Sequence, residues 1–415
     1  MNKTLIPEDW AVVLLGFIII IVSLAGVVLA VPEYNWTTSD ELTGKILTGN
    51  NLLTIALQFI YVYIIAVLGT FLTGKSVDGT IKAFPFIYLL TTVALIIAGN
   101  KEVKEYNLEA VIFSLLIGLL IGNLFKLPIW FREAIASEFY VKIGLVLLGT
   151  TIIFGDILKA GSLGLVQALL VVLSVWYFSY WVCKRLKIDD ELTMMLSSAV
   201  SICGVSAAIA TSGAIKGDPK KLSLVISLVL ITAVPMMILM PYIAKVLGLS
   251  QEVTGAWLGG SIDTTGAVVA SGTLVGETAL KISTIVKFSQ NVLLGIAAFA
   301  ISVYWTYTKH PASNDKENKP TLAVIWERFP KFVIGFIAAS LLFSFFLSAD
   351  AIAPVKGPLK NLQGLWFALA FTSIGLETNF RDLFGRESKK PIYAFLIAQT
   401  FNVLVTLIIA YFLFK

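Results

Sequence analysis

Histidine and cysteine are almost missing from this chain, and their scarcity removes whole classes of chemistry. His310 is the one histidine in 415 residues. It stands in the most polar loop as a solvated residue, so histidine-based catalysis is excluded. Cys183 and Cys203 are the two thiols. Both fall in apolar stretches without C-x-x-C spacing, which excludes a disulfide framework and a structural zinc site. Charge is scarce as well: 14% of residues are Asp, Glu, Lys or Arg, against roughly 25% in a soluble domain. The sequence has no G-x-S-x-G, H-E-x-x-H or P-loop, and Ser206 has no base to activate it, so nothing points to an enzyme. The formal charge of +5 does not call for nucleic acid, because membrane proteins keep excess Lys and Arg on one face.

What is abundant is apolar. Hydrophobic residues make up 57% of the chain and the mean hydropathy is +0.88. Apolar runs near the thickness of a bilayer core recur throughout, which predicts an all-α polytopic membrane protein. Read against charged and Pro/Gly breaks, helices are expected near Trp10–Val31, Asn51–Leu72, Ala83–Gly99, Leu108–Phe125, Val141–Leu158, Leu163–Cys183 and Leu222–Met240. Others follow near Ile282–Tyr307, Phe332–Leu347, Leu362–Phe380 and Ile392–Phe414. The first run is too long for a signal-peptide core and is read as a retained helix. Trp176, Tyr177, Tyr180 and Trp181 read as an interfacial aromatic belt. The clear linker is KHPASNDKENKP, Lys309 to Pro320. The expected organisation is added helices over 1–107, the first part of the main unit over 108–308, the linker over 309–320, and remaining helices over 321–415.

Two segments interrupt this pattern. SICGVSAAIATSGAIKG from Ser201 and SIDTTGAVVASGTLVGE from Ser261 align without a gap at an offset of 60. A second pair, GTTIIFGDI from Gly149 and GLETNFRDL from Gly375, shares Gly, Phe and Asp at the same spacing. Weak internal symmetry of this kind is a property of transporter folds. The distribution of Lys and Arg favours re-entrant hairpins for the two segments over crossings. The expected fold is about 11 transmembrane helices plus two broken or re-entrant segments, with the N-terminus cytoplasmic and the C-terminus outside.

A backbone break at bilayer depth is tolerated where it is buried in protein or lines a wet cavity. Gly204, Ser206, Ser212 and Gly213 mark one break; Thr264, Thr265, Gly266 and Gly272 mark the other. Half-helices meeting there offer N–H groups to an anion and carbonyls to a cation. Asp263 lies in the second break at the place Cys203 holds in the first, and an intramembrane Asp is functional by default. Lys287, Gln290 and Asn291 follow inside one apolar run. Two readings stand side by side: an Asp263–Lys287 ion pair that stabilises the core, or Lys287 and the N–H tips holding an anion while Asp263 takes H⁺ or Na⁺. Glu377 and Thr378 form a further candidate pair for the coupling ion, and Asp156 and Asp382 read as solvated caps.

At CGVSAAIA (Cys203–Ala210), SIDTTGAVVASG (Ser261–Gly272) and IVKFSQN (Ile285–Asn291) the chain resembles the YeiH-type bacterial membrane proteins, a family named for sulfate export. The resemblance runs from about Leu108 onward. It implies membership of the cation/proton-antiporter and anion-transporter superfamily, with inverted structural repeats and an elevator-type architecture. Many members carry a His-Asp pair and a Gln in the second break and an Arg in the next helix. Here those places hold Asp263 and Thr264, Ala267 and Gln290. Loss of the guanidinium removes a bidentate oxyanion clamp, which argues against sulfate itself. The expected function is secondary active transport of a small anion (sulfate-, sulfite-, sulfonate- or carboxylate-like) coupled to H⁺ or Na⁺. The rivals are a cation/proton antiporter and a channel-like pore. The expected substrate-binding residues are Cys203, Gly204, Ser206, Thr264, Thr265, Gly266, Lys287, Gln290 and Asn291, with Asp263, Glu377 and Thr378 for the coupling ion and a Na⁺ near Asp263. No cofactor beyond that ion is expected. The expected partners are the anion, the bilayer of the cell inner membrane and a second copy of the chain, without nucleic acid.

Overall fold

The computed structural model describes residues 5–105, 110–309, 322–378 and 389–415. His310, Asp382 and nearly all of the polar linker lie outside the described residues. The described chain is helical nearly throughout, with one isolated β-bridge between Trp36 and Asn100. Among the described residues seven helices are long and apolar enough to cross a membrane: Gly49–Leu72, Val77–Ala98, Ile129–Thr151, Phe154–Arg185, Pro219–Val246, Glu277–Trp305 and Lys389–Phe414. Shorter apolar helices cover Ala110–Leu124, Val205–Ile215, Thr265–Val275 and Lys331–Phe346. The chain divides into two compact units, Met1–Phe154 with Lys331–Asn379, and Gly155–Pro330 with Phe380–Lys415.

In the first unit, helix Ala110–Leu124 lies against helix Ala349–Glu377 at backbone distance. A Cβ on Gly118 would stand 2.3 Å from Thr372 O, and one on Gly375 would stand 2.5 Å from Leu115 O. Small residues permit this approach, and Gly118 and Gly122 carry the G-x-x-x-G spacing that membrane helices use for it. Helix Glu8–Leu24 packs on Ser137–Leu148, and its first turn is pinned by charge: Lys142 Nζ lies 3.0 Å from Glu8 and 2.9 Å from Asp9.

The run predicted as one helix over Val141–Leu158 is interrupted. Helix Ser137–Leu148 ends in a 3-10 turn at Gly149–Thr151, and a new helix begins at Phe154. The hydroxyls of Thr150 and Thr151 donate back to Leu147 O and Leu148 O, and Gly149 admits Phe336 O to 2.3 Å from where a Cβ would lie. Close backbone approach and back-bonding together end the helix early.

The second unit holds two helical hairpins. The first pairs Asp190–Ser201 with Val205–Ile215, and the second pairs Gln251–Ser261 with Thr265–Val275. Asp189 Oδ1 accepts from Leu192 N at 3.1 Å and Ser250 Oγ accepts from Val253 N at 3.3 Å, so both entering helices carry a side-chain N-cap. The open ends of each hairpin meet. Lys221 Nζ, just past the first hairpin, donates to Asp189 at 2.7 Å and to Glu191 at 3.1 Å. At the second, Gln251 Oε1 accepts from Ala279 N at 3.4 Å and lies against Gly276. Each broken segment therefore brings its two open ends close together.

Candidate functional site: two hairpin tips

A helix ends on carbonyls that have no intrahelical donor. In each hairpin the entering helix ends at the tip, so such carbonyls are buried deep in the second unit and must find partners elsewhere. Within the first tip the chain satisfies itself in part, with Gly204 N donating to Ala199 O at 3.0 Å. Gly204 sits at φ +59, and a Cβ there would lie 2.7 Å from Val229 Cγ1 and 3.0 Å from Asp263 Cβ. Glycine is required at this point for both reasons, and the same distances show that the two tips touch.

Four side chains supply the remaining donors, two from each of two helices. From helix Glu277–Lys309, Lys287 Nζ donates to Ile202 O at 2.9 Å, Ile262 O at 2.8 Å and Gln290 Oε1 at 2.9 Å. Gln290 Nε2 then donates to Ser201 O at 3.0 Å and Gly260 O at 3.1 Å. From helix Lys389–Phe414, Gln399 Nε2 donates to Ser261 O at 2.9 Å, and Asn402 Nδ2 reaches Val200 O at 3.0 Å and Ser261 O at 3.2 Å. Lys287 thus holds Ile202 and Ile262, the residues that align at the offset of 60, with one ammonium. The Lys-Gln and Gln-Asn pairs are each spaced three apart, which puts both members on one helix face.

The electrostatics follow from the helix ends. Each entering helix brings roughly half a negative charge to its C-terminus, and the Lys287 ammonium lies between the two. Its three donors go to two backbone carbonyls and an amide oxygen; of the two readings set side by side above, the Asp263–Lys287 ion pair is not formed at salt-bridge distance. Asp263 is 2% exposed, and its Oδ2 has no hydrogen-bond partner among the described residues. It packs against Gly204, the residue that opens helix Val205–Ile215 without a side-chain cap. A carboxylate beside that helix start is favoured by the positive end of the macrodipole.

The other expected site residues fall as follows. Cys203 is buried in the first tip, and Ser206 is exposed in the first turn beyond it. Thr264 Oγ1 accepts from Ala267 N at 3.3 Å and caps the second returning helix, in whose first turn Thr265 and Gly266 lie. Asn291 Nδ2 donates to Thr265 Oγ1 at 3.4 Å, while Asn291 Oδ1 is buried without a partner among the described residues. Glu377 and Thr378 belong to the first unit. There Glu377 accepts from Ser137 Oγ at 2.5 Å and Ser137 N at 3.3 Å, capping the start of helix Ser137–Leu148 from another helix. Asp156 is exposed in the first turn of its helix. Gln399 and Asn402 were absent from the expected set. Their signal was the same as for Lys287 and Gln290, a polar pair three apart inside an apolar run.

Known proteins similar to this chain include UPF0324 membrane proteins of three bacteria. One from Rhodopirellula baltica is 42% identical over 352 residues, 82% of this chain and 64% of that protein. One from Nitratidesulfovibrio vulgaris is 38% identical over 353 residues, 82% of this chain and 60% of that protein. The chain therefore spans less than two thirds of the length of these two relatives. A third, from Nitrosomonas europaea, is 30% identical over 397 residues, 82% of this chain and 80% of that protein. Among solved structures, a sodium proton antiporter from Methanocaldococcus jannaschii at pH 8 covers 79% of this chain and 99% of that one, at 13% identity and a TM-score of 0.20, which is too low to bear on the fold. Residues 82–394 match the family described as Conserved hypothetical protein 698, and on that match and those identities the chain belongs to this family of membrane proteins.

Proposed function

We propose that this membrane protein is a secondary active transporter of a small anion, driven by H⁺ or Na⁺ through Asp263. The observation that carries the reading is the unpartnered Asp263 Oδ2, buried where one hairpin tip meets the uncapped start of helix Val205–Ile215. A half-helix of 11 or 12 residues is about 17 Å long, about half of a bilayer core, so a tip entering from the surface reaches mid-depth. Ionised, Asp263 beside Gly204 at that helix start keeps other anions away by repulsion. Once neutral, it leaves the positive end to an anion, with Ser206 exposed in the same turn. Anion and proton then bind together, because the carboxylate and the substrate compete for one helix start. The division of the chain into two compact units, with both hairpins in one, supports an elevator-type carrier, and the offset-60 alignment supports inverted repeats. The YeiH-type resemblance supports a cell inner-membrane location.

A second reading, a cation/proton antiporter, is favoured by one observation: the three donors of Lys287 are taken by two tip carbonyls and Gln290 Oε1, which leaves no ammonium for an anion. Reconstituted flux under an imposed pH or Na⁺ gradient tests both. Asp263→Asn keeps the side-chain shape and removes the charge. The expected result is retained anion binding with loss of gradient-driven accumulation. Accumulation equal to the parent would refute the coupling role, and proton-coupled cation exchange that ignores every anion tested would establish the antiporter.

A further inference from the structure

Carbonyls at unwound helix C-termini, converging inside a membrane protein, are the groups with which carriers coordinate a metal cation. The two tips and Gln290 together make such a seat from Ile202 O, Ile262 O and Gln290 Oε1, with Ser201 O and Gly260 O next to them on the Gln290 amide. Its occupant is part of the chain. Lys287 is 1% exposed and reaches the seat along a four-carbon stem. A dehydrated ammonium without compensation carries a penalty of several kcal/mol, and here the oxygens and the two helix ends, together close to one negative charge, provide it. We propose that the Lys287 ammonium is a tethered substitute for a monovalent cation, and that shortening this side chain exposes a latent seat for a small ammonium ion or a monovalent metal ion.

Asp263 is the charged group of the adjoining tip, and the alternative is that Lys287 serves mainly as its counter-ion. The two roles differ in what replaces the lysine. A seat of neutral oxygens needs any cation of the right size. A counter-ion role is relieved by neutralising Asp263. This inference rests on the tip geometry alone and not on the transporter reading, and its test uses no transport assay, so either can fail without the other.

Thermal unfolding midpoints of detergent-purified protein decide it, measured at one ionic strength in choline, sodium, potassium and methylammonium chloride. Choline is too large for the seat and serves as the blank. The parent should unfold at one temperature in all four salts. Lys287→Ala should fall by several degrees in choline and recover saturably with methylammonium, the ion that restores both the ammonium and part of the stem. Lys287→Met, whose apolar side chain fills the space, should fall without recovery. The double variant Lys287→Ala with Asp263→Asn should remain as low as the single variant in choline. The proposal is overturned if Lys287→Ala unfolds alike in every salt, if Lys287→Met matches the parent, or if the double variant regains stability in choline. Should Lys287→Ala yield no folded protein in choline, extraction directly into methylammonium chloride replaces that arm. Monodisperse protein there supports the seat, and none in any salt overturns it.

Discussion

Gly204 shows how much a single residue decides at the tips. Its φ of +59 and the 2.7 Å and 3.0 Å gaps to Val229 Cγ1 and Asp263 Cβ leave no room for a methyl group. Gly204→Ala should therefore destabilise the protein by about 1–3 kcal/mol, read as a lower unfolding midpoint. Asn402→Leu should act by another route. It removes the donor to Val200 O and one of two donors to Ser261 O, and an orphaned buried carbonyl costs about 1–3 kcal/mol. Ser261 keeps Gln399, so Gln399→Leu added to Asn402→Leu should lower the midpoint by more than the two single losses together. Strict additivity would show that the carbonyls find other partners. These residues also mark the limit of what is legible in the sequence. Asp263 and Lys287 stand out because a charge is improbable inside an apolar run; Asp263 lies in a tip, and Lys287 reaches both tips from the next helix. The acceptors of Lys287 were not legible. A lysine near an aspartate in sequence suggests an ion pair, but the carbonyls that accept its hydrogen bonds lie at two helix ends, and only the folded hairpins bring those together.

At the scale of elements, the crossing of helices Ala110–Leu124 and Ala349–Glu377 separates two kinds of glycine on one helix. A Cβ on Gly375 would lie 2.5 Å from Leu115 O and 2.7 Å from Leu119 N, whereas one on Gly364 or Gly357 would meet nothing within 4 Å. Backbone atoms cannot step aside as a side chain can, so Gly375→Ala must part the helices. It should reduce the yield of folded protein and its unfolding temperature. Gly364→Ala should instead stabilise the helix by roughly 0.4–1 kcal/mol, through the lost freedom of the unfolded chain. Equal midpoints for the two variants would remove the close crossing as a source of stability. Some helix positions follow closely from the apolar runs, since the predicted Asn51–Leu72 and Ile392–Phe414 fall on Gly49–Leu72 and Lys389–Phe414, whereas the predicted Trp10–Val31 stops at Leu24, just before Gly26 at φ +92. The early stop at Leu148 did not follow, because it depends on Phe336 O, nearly two hundred residues further along the chain.

For the whole molecule, the two ends of helix Pro219–Val246 must open on opposite sides if this span crosses the bilayer. Asp218 lies at one end and Ser250 just past the other, both exposed. The Asp218 end gathers Lys184, Arg185, Lys187, Lys216, Lys220 and Lys221, against Lys245 and Lys281 at the other. Excess positive charge belongs on the cytoplasmic side. A membrane-impermeant thiol reagent added to intact cells should therefore label Ser250→Cys and spare Asp218→Cys. The reverse pattern would invert the orientation, and labelling of both would contradict the span.

The donors that close the tips also set an order on biosynthesis. Gln399 reaches back 138 residues to Ser261, and Asn402 reaches back 202 residues to Val200. A ribosome that has released both hairpins into the membrane has yet to make the helix that saturates them. Until Gln399 and Asn402 arrive, those carbonyls must be met by water or by the insertion machinery. The half-made protein is then a wet intermediate, and the closed junction, its tip carbonyls met by side chains, is the last part of the unit to form.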